Sequence, residues 1–305
     1  MPIYIHRLKP EIFSLTDTLA VRWYGLAYLA GFLIAYLLLR RLARRGLLDM
    51  PPARVQDFLT TLAVFGVMLG GRLGYFLFYQ PRVLLEDPLQ LIRVWEGGMA
   101  SHGGILGCAL VMLWWSKKYK VSFWNLSDNL CAVGPAGLAL GRLANFINGE
   151  LWGRPTSGSW GVVFPLERWE FNPGQPLAPR RYDLDFLQSL VDSGHLLPRH
   201  PSQLYQALGE GLLLFILLWS LRQTEWSRAR EGRLSFVFLG GYSIMRFMAE
   251  FFREPDPDTA LLFGWMTRGQ LLTGLMLLIS VNLLFWFKSN PTPGKETHHA
   301  RRNRP

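Results

Sequence analysis

The stretch Gly141–Arg154, GRLANFINGELWGR, ends an apolar run on groups that hydrocarbon rejects. Arg142, Asn145 and Asn148 are spaced i, i+3, i+6, which at about 100° per residue places them on one slowly rotating stripe of a helix. Tyr242, Arg246 and Glu250 recur at i, i+4, i+8 in YSIMRFMAE and form a second polar face. His102 lies between two glycine pairs in GGMASHGGILG, and Tyr24 opens the first apolar run. Guanidiniums, tyrosine hydroxyls and asparagine amides around one histidine suit an anion with a proton acceptor beside it. Phosphate fits best, because the planar arginine fork matches two of its oxygens. A metal centre fits poorly, with one histidine, no HExxH spacing and no second clustered ligand. A serine nucleophile is also poorly supported, since there is no GxSxG elbow and neither Ser101 nor Ser202 has a demonstrable base.

Each residue also has a plainer reading. Arg142 with its asparagines could be polar glue between helices. Arg246 and Glu250 could form an i, i+4 ion pair, which is compatible with a functional role. His102 could be a satisfied structural histidine, and Tyr24 and Tyr28 could be aromatic anchors at a membrane interface. Arg72, in GVMLGGRLGYF, has no acidic partner on its own helix and suits a structural or lipid-headgroup role. Gly66, Gly70 and Gly74, four apart, point to close helix packing rather than chemistry.

The elements that must position these groups follow from composition. Half of the 305 residues are hydrophobic, with 12 Trp and 20 Phe, which describes a bilayer resident. Seven runs have the roughly 20-residue apolar length of a spanning helix: Trp23–Leu39, Phe58–Tyr79, Ser101–Ser116, Leu126–Ile147, Leu204–Leu221, Leu234–Phe251 and Leu271–Phe287. The first 20 residues lack a basic leader and cleavage site and contain Pro10 and Asp17, so the first run is expected to stay as a helix. The net charge of +10 falls in short clusters between runs, not along one polar face, which argues against a nucleic-acid partner. Clusters at Arg40–Arg54, Lys117–Lys120, Arg222–Arg233 and Lys288–Arg304 follow runs one, three, five and seven, and the positive-inside rule makes them cytoplasmic. The N-terminus is then outside and the C-terminus inside.

This predicts an all-α integral membrane protein. Residues 1–287 form one seven-span domain that includes an outer loop, residues 148–200, read as an ordered cap with little regular structure; residues 288–305 are a disordered tail. Cys108 and Cys131, both in apolar runs, read as small core residues. No internal repeat suggests the duplicated halves of a transporter. An ionisable group inside a span costs several kcal/mol unless it faces a partner or a wet cavity, so each is a candidate for a site. By this topology both polar stripes reach the outer leaflet, at the depth of His102 and Tyr24. HPSQLY, His200–Tyr205, opens the fifth run with Ser202 as its expected N-cap.

Five motifs, GGRLGYFLFY, WEGGMASHGG, GRLANFINGELWGR, HPSQLYQALGEG and YSIMRFMAEFFREPD, resemble in this order those of the bacterial prolipoprotein diacylglyceryl transferases, over Trp23–Gln270. The resemblance implies a seven-span enzyme of the inner membrane with a cavity open to the periplasm and laterally to lipid. It would transfer the diacylglyceryl group of phosphatidylglycerol to the thiol of the lipobox cysteine of a preprolipoprotein signal peptide, releasing glycerol phosphate, with no cofactor or metal and no cysteine of its own. Arg142, Asn145, Glu150 and Gly153 match the family's essential set; Tyr24, Gly97, His102, Gly103, Tyr242 and Arg246 match further functional positions. His102, Arg142, Arg246 and Tyr242 are the expected catalytic residues. Arg142, Asn145, Tyr24, Gly97, Gly103, Glu150, Gly153 and Glu250 are expected to bind substrate. His102 is the natural base for the thiol, since His6, His195, His200, His298 and His299 fall in outer segments or the tail, although a tyrosine or Glu150 could compete. A membrane-embedded phospholipase and a lipid or anionic-solute transporter remain as alternatives.

Overall fold

The computed structural model describes residues 3–14, 20–93, 98–165, 183–254 and 266–289. Helices stand at all seven expected places: α1 (Trp23–Arg44), α2 (Pro52–Tyr79), α4 (Ser101–Tyr119), α5 (Phe123–Asn148), α7 (Ser202–Arg222), α9 (Arg233–Glu250) and α10 (Arg268–Ser289). Short helices α3 (Pro81–Glu86), α6 (Leu184–Asp192) and α8 (Glu225–Arg228) lie between them. Among the described residues, α1, α2, α5 and α7 are long and apolar enough to cross a membrane, and Gly269–Phe285 is a shorter apolar helix. The expected tail lies outside the described residues, apart from the end of α10.

The chain divides into two compact units, residues 32–133 and residues 1–31 with 134–305. Within the first, α2 and α4 cross on a glycine seam. A Cβ on Gly74 would sit 2.6 Å from Gly103 Cα, one on Gly70 2.7 Å from Gly103 O, and one on Gly107 2.4 Å from Gly66 O. Any side chain there would force the backbones apart, so the four-residue spacing of Gly66, Gly70 and Gly74 is a packing code. Arg72 is buried beside this seam. Its guanidinium donates to the carbonyls of Gln90 (2.6 Å), Arg93 (2.6 Å) and Gly98 (3.2 Å), and stacks on Phe76. It ties down the chain that follows α3, the structural one of the two roles expected for it.

In the second unit, α9 packs along α10, with Ser280 Oγ donating to Phe236 O (2.7 Å), and Leu214, Leu218 and Leu234 join α7 to α9. Gly211 of α7 meets Ala139 of α5 so closely that a Cβ would fall 2.5 Å from its Cβ. The segment 148–200, expected to have little regular structure, carries strands and a helix among its described residues. β4 (Val162–Val163) pairs in parallel with β1 (Tyr4–Ile5) and antiparallel with β5 (Pro198–Arg199), while β2 (Glu11–Ser14) and β3 (Ala20–Arg22) form a hairpin. Helix α6, capped by Asp183, buries Leu187 and Leu190 against Ile5, Val163 and Leu196. Two-residue strands carry no periodicity, which is why they were not foreseen.

Candidate functional site

Helix α5 ends on a Schellman motif. Gly149 turns left-handed at φ 69°, its N–H bonds to Phe146 O (2.9 Å), and Glu150 N–H bonds to Asn145 O (3.1 Å). That reversal folds Glu150 back over the polar stripe, where its carboxylate accepts from Asn145 Nδ2 (2.8 Å) and Asn148 Nδ2 (3.2 Å). The Glu150 carbonyl accepts from the buried Gln203 (2.6 Å) of α7. Tyr24 feels the charges of Glu150 and Arg142 and shares a hydrogen bond with Tyr28, whose ring lies 5.1 Å away.

The two arginines of the polar stripes are each held by a buried carboxylate. Arg142 Nη2 lies 3.3 Å from Oε2 of Glu210, whose side chain is only 1% exposed. Arg246 pairs through Nη2 with Glu250 Oε1, as the i, i+4 spacing allowed, and Arg253 Nη1 stands 3.9 Å from the same oxygen. These groups form one electrostatic cluster: Glu210 faces Arg142, Arg246 and Arg253, and the Tyr242 hydroxyl lies in the field of all four. Pairing each guanidinium fixes its orientation while leaving other donors uncommitted. Arg246 Nη1 is buried and has no hydrogen-bond partner among the described residues. Fixed, partly desolvated forks are suited to an anion whose charge grows during a reaction.

Gly153 occupies a backbone crossing. Its N–H bonds to His200 O (2.9 Å), and a Cβ would lie 2.3 Å from Phe252 O. Arg154 N–H bonds to Phe252 O (2.9 Å) and its Nε to Arg253 O (3.0 Å), so the end of the motif is stitched to the segment after α9. Arg199 completes the stitch through Gly153 O (3.1 Å) and Glu254 (3.1 Å). Burial holds His200 below the usual histidine pKa, and its Nδ1 shares a 3.1 Å hydrogen bond with the Tyr205 hydroxyl. Ser202 is not the cap of α7. It lies inside the helix and donates Oγ to Leu151 O (2.9 Å), Pro201 taking the cap position. The unit therefore brings together Tyr24, Arg142, Asn145, Glu150, Gly153, Tyr242, Arg246 and Glu250. His102 and Gly103 belong to the other unit, His102 exposed in the first turn of α4 and Gly103 in the seam. Gly97 lies outside the described residues.

The family described as prolipoprotein diacylglyceryl transferase matches residues 10–286. The chain belongs to that family. Relatives named phosphatidylglycerol–prolipoprotein diacylglyceryl transferase include one from Stenotrophomonas maltophilia (strain R551-3), 42% identical over 91% of this chain and 93% of its own. Another, from Xylella fastidiosa (strain M23), is 41% identical over 96% and 99%. A third, from Ralstonia pickettii (strain 12J), is 44% identical over 88% and 90%. The family match covers both units and every described candidate residue.

Within this transferase fold the sequence reading overlooked Glu210, Arg253 and Gln203. Glu210 gave a signal, being the one charged residue of the run Leu204–Leu221. It sits in a π-helical stretch, Ala207–Leu213, which shifts the facing of side chains relative to a regular 3.6-residue helix. Arg253 and Gln203 gave none, since the one lies beyond α9 and the other acts through a carbonyl.

Proposed function

We propose that the chain transfers the diacylglyceryl group of phosphatidylglycerol to the lipobox cysteine of prolipoproteins. The observation that carries this reading is the convergence of Arg142 and Arg246, each oriented by its own buried carboxylate, beside the Schellman turn of the motif GRLANFINGELWGR. The cysteine thiolate attacks the glyceryl carbon bonded to phosphate oxygen. A carbon–sulfur bond forms, the carbon–oxygen bond breaks, and the oxygen keeps the electron pair, leaving glycerol phosphate with one more negative charge. Arg142 and Arg246 stabilise that developing charge, with Tyr242 as a neighbouring donor. Asn145, Glu150, Tyr24, Gly97, Gly103, Gly153 and Glu250 make up the rest of the substrate-binding set. His102 takes the thiol proton, an ordinary cysteine having a pKa near 8.5.

The same reading places seven spans in the bacterial inner membrane, the N-terminus and site on the periplasmic side and the C-terminus in the cytoplasm. The test is purified protein in phosphatidylglycerol vesicles with a lipobox peptide, followed by mass analysis. A diacylglyceryl thioether on the cysteine is expected. Lipid consumption without peptide modification would make the protein a phospholipase instead.

A further inference from the structure

The head of α10 is built around Glu250. Thr267 and Gln270 form a reciprocal capping box, Gln270 N–H donating to Thr267 Oγ1 (3.0 Å) and Thr267 N–H to Gln270 Oε1 (3.0 Å). Because the Thr267 oxygen already accepts a helix N–H, its own proton points away from the helix, and it is donated to Glu250 Oε2 (2.9 Å). Gly269 leaves room for this contact. A Cβ there would lie 2.8 Å from the Glu250 carboxyl carbon and 2.9 Å from Oε1. Thr267, Gln270 and Glu250 are all buried.

The arrangement has a directional consequence. The terminal torsion of a glutamate is broad, so an isolated carboxylate would present either oxygen to an arginine. Here the hydrogen bond from Thr267 pins Oε2. Oε1 is thereby turned toward Arg246 and Arg253. With Nη2 of Arg246 held by Oε1, the buried Nη1 is the donor left for a ligand. We propose that Thr267, Gly269 and Gln270 are positioning residues for Arg246, acting through Glu250 and so fixing the donor that meets the lipid phosphate. This rests on the transfer reading above.

The test compares Thr267→Val, which removes the hydroxyl at nearly equal size, with Thr267→Ser, which keeps it. Thr267→Val is expected to lower kcat for transfer about tenfold with the KM for peptide unchanged, as for the loss of one hydrogen bond to a charged group. Thr267→Ser should stay within about twofold. The deciding measurement repeats Thr267→Val in an Arg246→Lys background and follows the residual rate. If Thr267 acts through Arg246, the second loss shrinks below about twofold. Equal losses in both backgrounds, with wild type active, would reduce Thr267 to a helix cap and overturn the proposal alone. An inactive wild type would overturn the transfer reading and the proposal with it. Should Thr267→Val fail to fold, Gly269→Ala serves instead, because it raises helix propensity while pushing against the Glu250 carboxylate. The same non-additive loss is expected from it.

Discussion

Replacing Glu210 with Gln separates two effects of one buried carboxylate. The side chain is 1% exposed and that of Arg142 21%, so removing the charge leaves the guanidinium partly, not wholly, without compensation. Hydrogen bonds to charged groups contribute about 1.5–3 kcal/mol, and breaking a fully buried pair costs about 3–5 kcal/mol. The residual solvent at Arg142, together with the amide oxygen that Gln still offers, brings the expected loss to about 2 kcal/mol. In catalysis a loss of that size is roughly thirtyfold if the orientation of the fork is what disappears. The opposite effect acts on binding. The cluster becomes one charge more positive, so attraction of a lipid phosphate rises whatever the rotamer of Arg142. The account therefore expects kcat for transfer to fall roughly thirtyfold while the KM for phosphatidylglycerol stays level or drops. Initial rates against lipid mole fraction in mixed vesicles, with thermal unfolding as the control for folding, measure both. A folded Glu210→Gln protein with wild-type kcat would refute the idea that Glu210 orients Arg142.

Other outcomes follow from the remaining groups. Cys108 and Cys131 form no disulfide with each other, and changing both to Ala should leave transfer largely intact, because the reacting thiol belongs to the substrate; inactivity of a folded double variant would indicate an enzyme thiol. His102→Gln should depress transfer strongly while lipid binding persists, and a near-normal rate with an unchanged pH profile would remove it from the role of base. Burial disfavours the charged form of His200 in the native protein, so the unfolded chain binds its proton more readily. Its contribution to stability is complete above the ordinary histidine pKa of about 6.5 and is lost as pH falls through the lower native value. Thermal unfolding at pH 7.5 and 5.5 should show a larger drop for wild type than for His200→Gln, and equal drops would count against that linkage.

Helices α1, α2, α5 and α7 were legible because a run of roughly 20 apolar residues leaves few alternatives. The glycine seam was legible for a similar reason: Gly66, Gly70 and Gly74 repeat at the spacing of one helix face. The polar stripes of α5 and α9 were visible as arginines that hydrocarbon would reject. Their partners were harder. Glu210 comes from another helix, and no spacing within one element can pair it with Arg142, 68 residues away. Arg72 offered no partner because it binds carbonyls, which every residue possesses. Ser202 looked like a cap by type and position, yet its hydroxyl serves Leu151, reached only through the turn at Gly149. Thr267 was concealed in the same way, its acceptor lying on the preceding helix. The cap sheet depends on pairing Tyr4–Ile5 with Val162–Val163, a contact across about half of the chain that two-residue strands cannot announce.

The central claim, that the polar end of α5 grips a lipid phosphate with an aligned guanidinium, is tested most directly by two substitutions in one motif. Arg142→Lys keeps the charge but replaces a fork, one arm of which is held 3.3 Å from Glu210, with a single ammonium that can serve Glu210 or the phosphate but not both in the same geometry. Arg154→Lys changes a side chain whose Nε bonds to the Arg253 carbonyl, while the backbone bond from Arg154 N–H to Phe252 O persists. Transfer of the diacylglyceryl group from phosphatidylglycerol to a lipobox peptide should fall about a hundredfold in folded Arg142→Lys, as when one well-placed transition-state donor is lost, and only a few fold in Arg154→Lys. A folded Arg142→Lys protein with nearly full activity, or a greater loss from Arg154→Lys, would contradict the claim and leave the stripe as glue between helices.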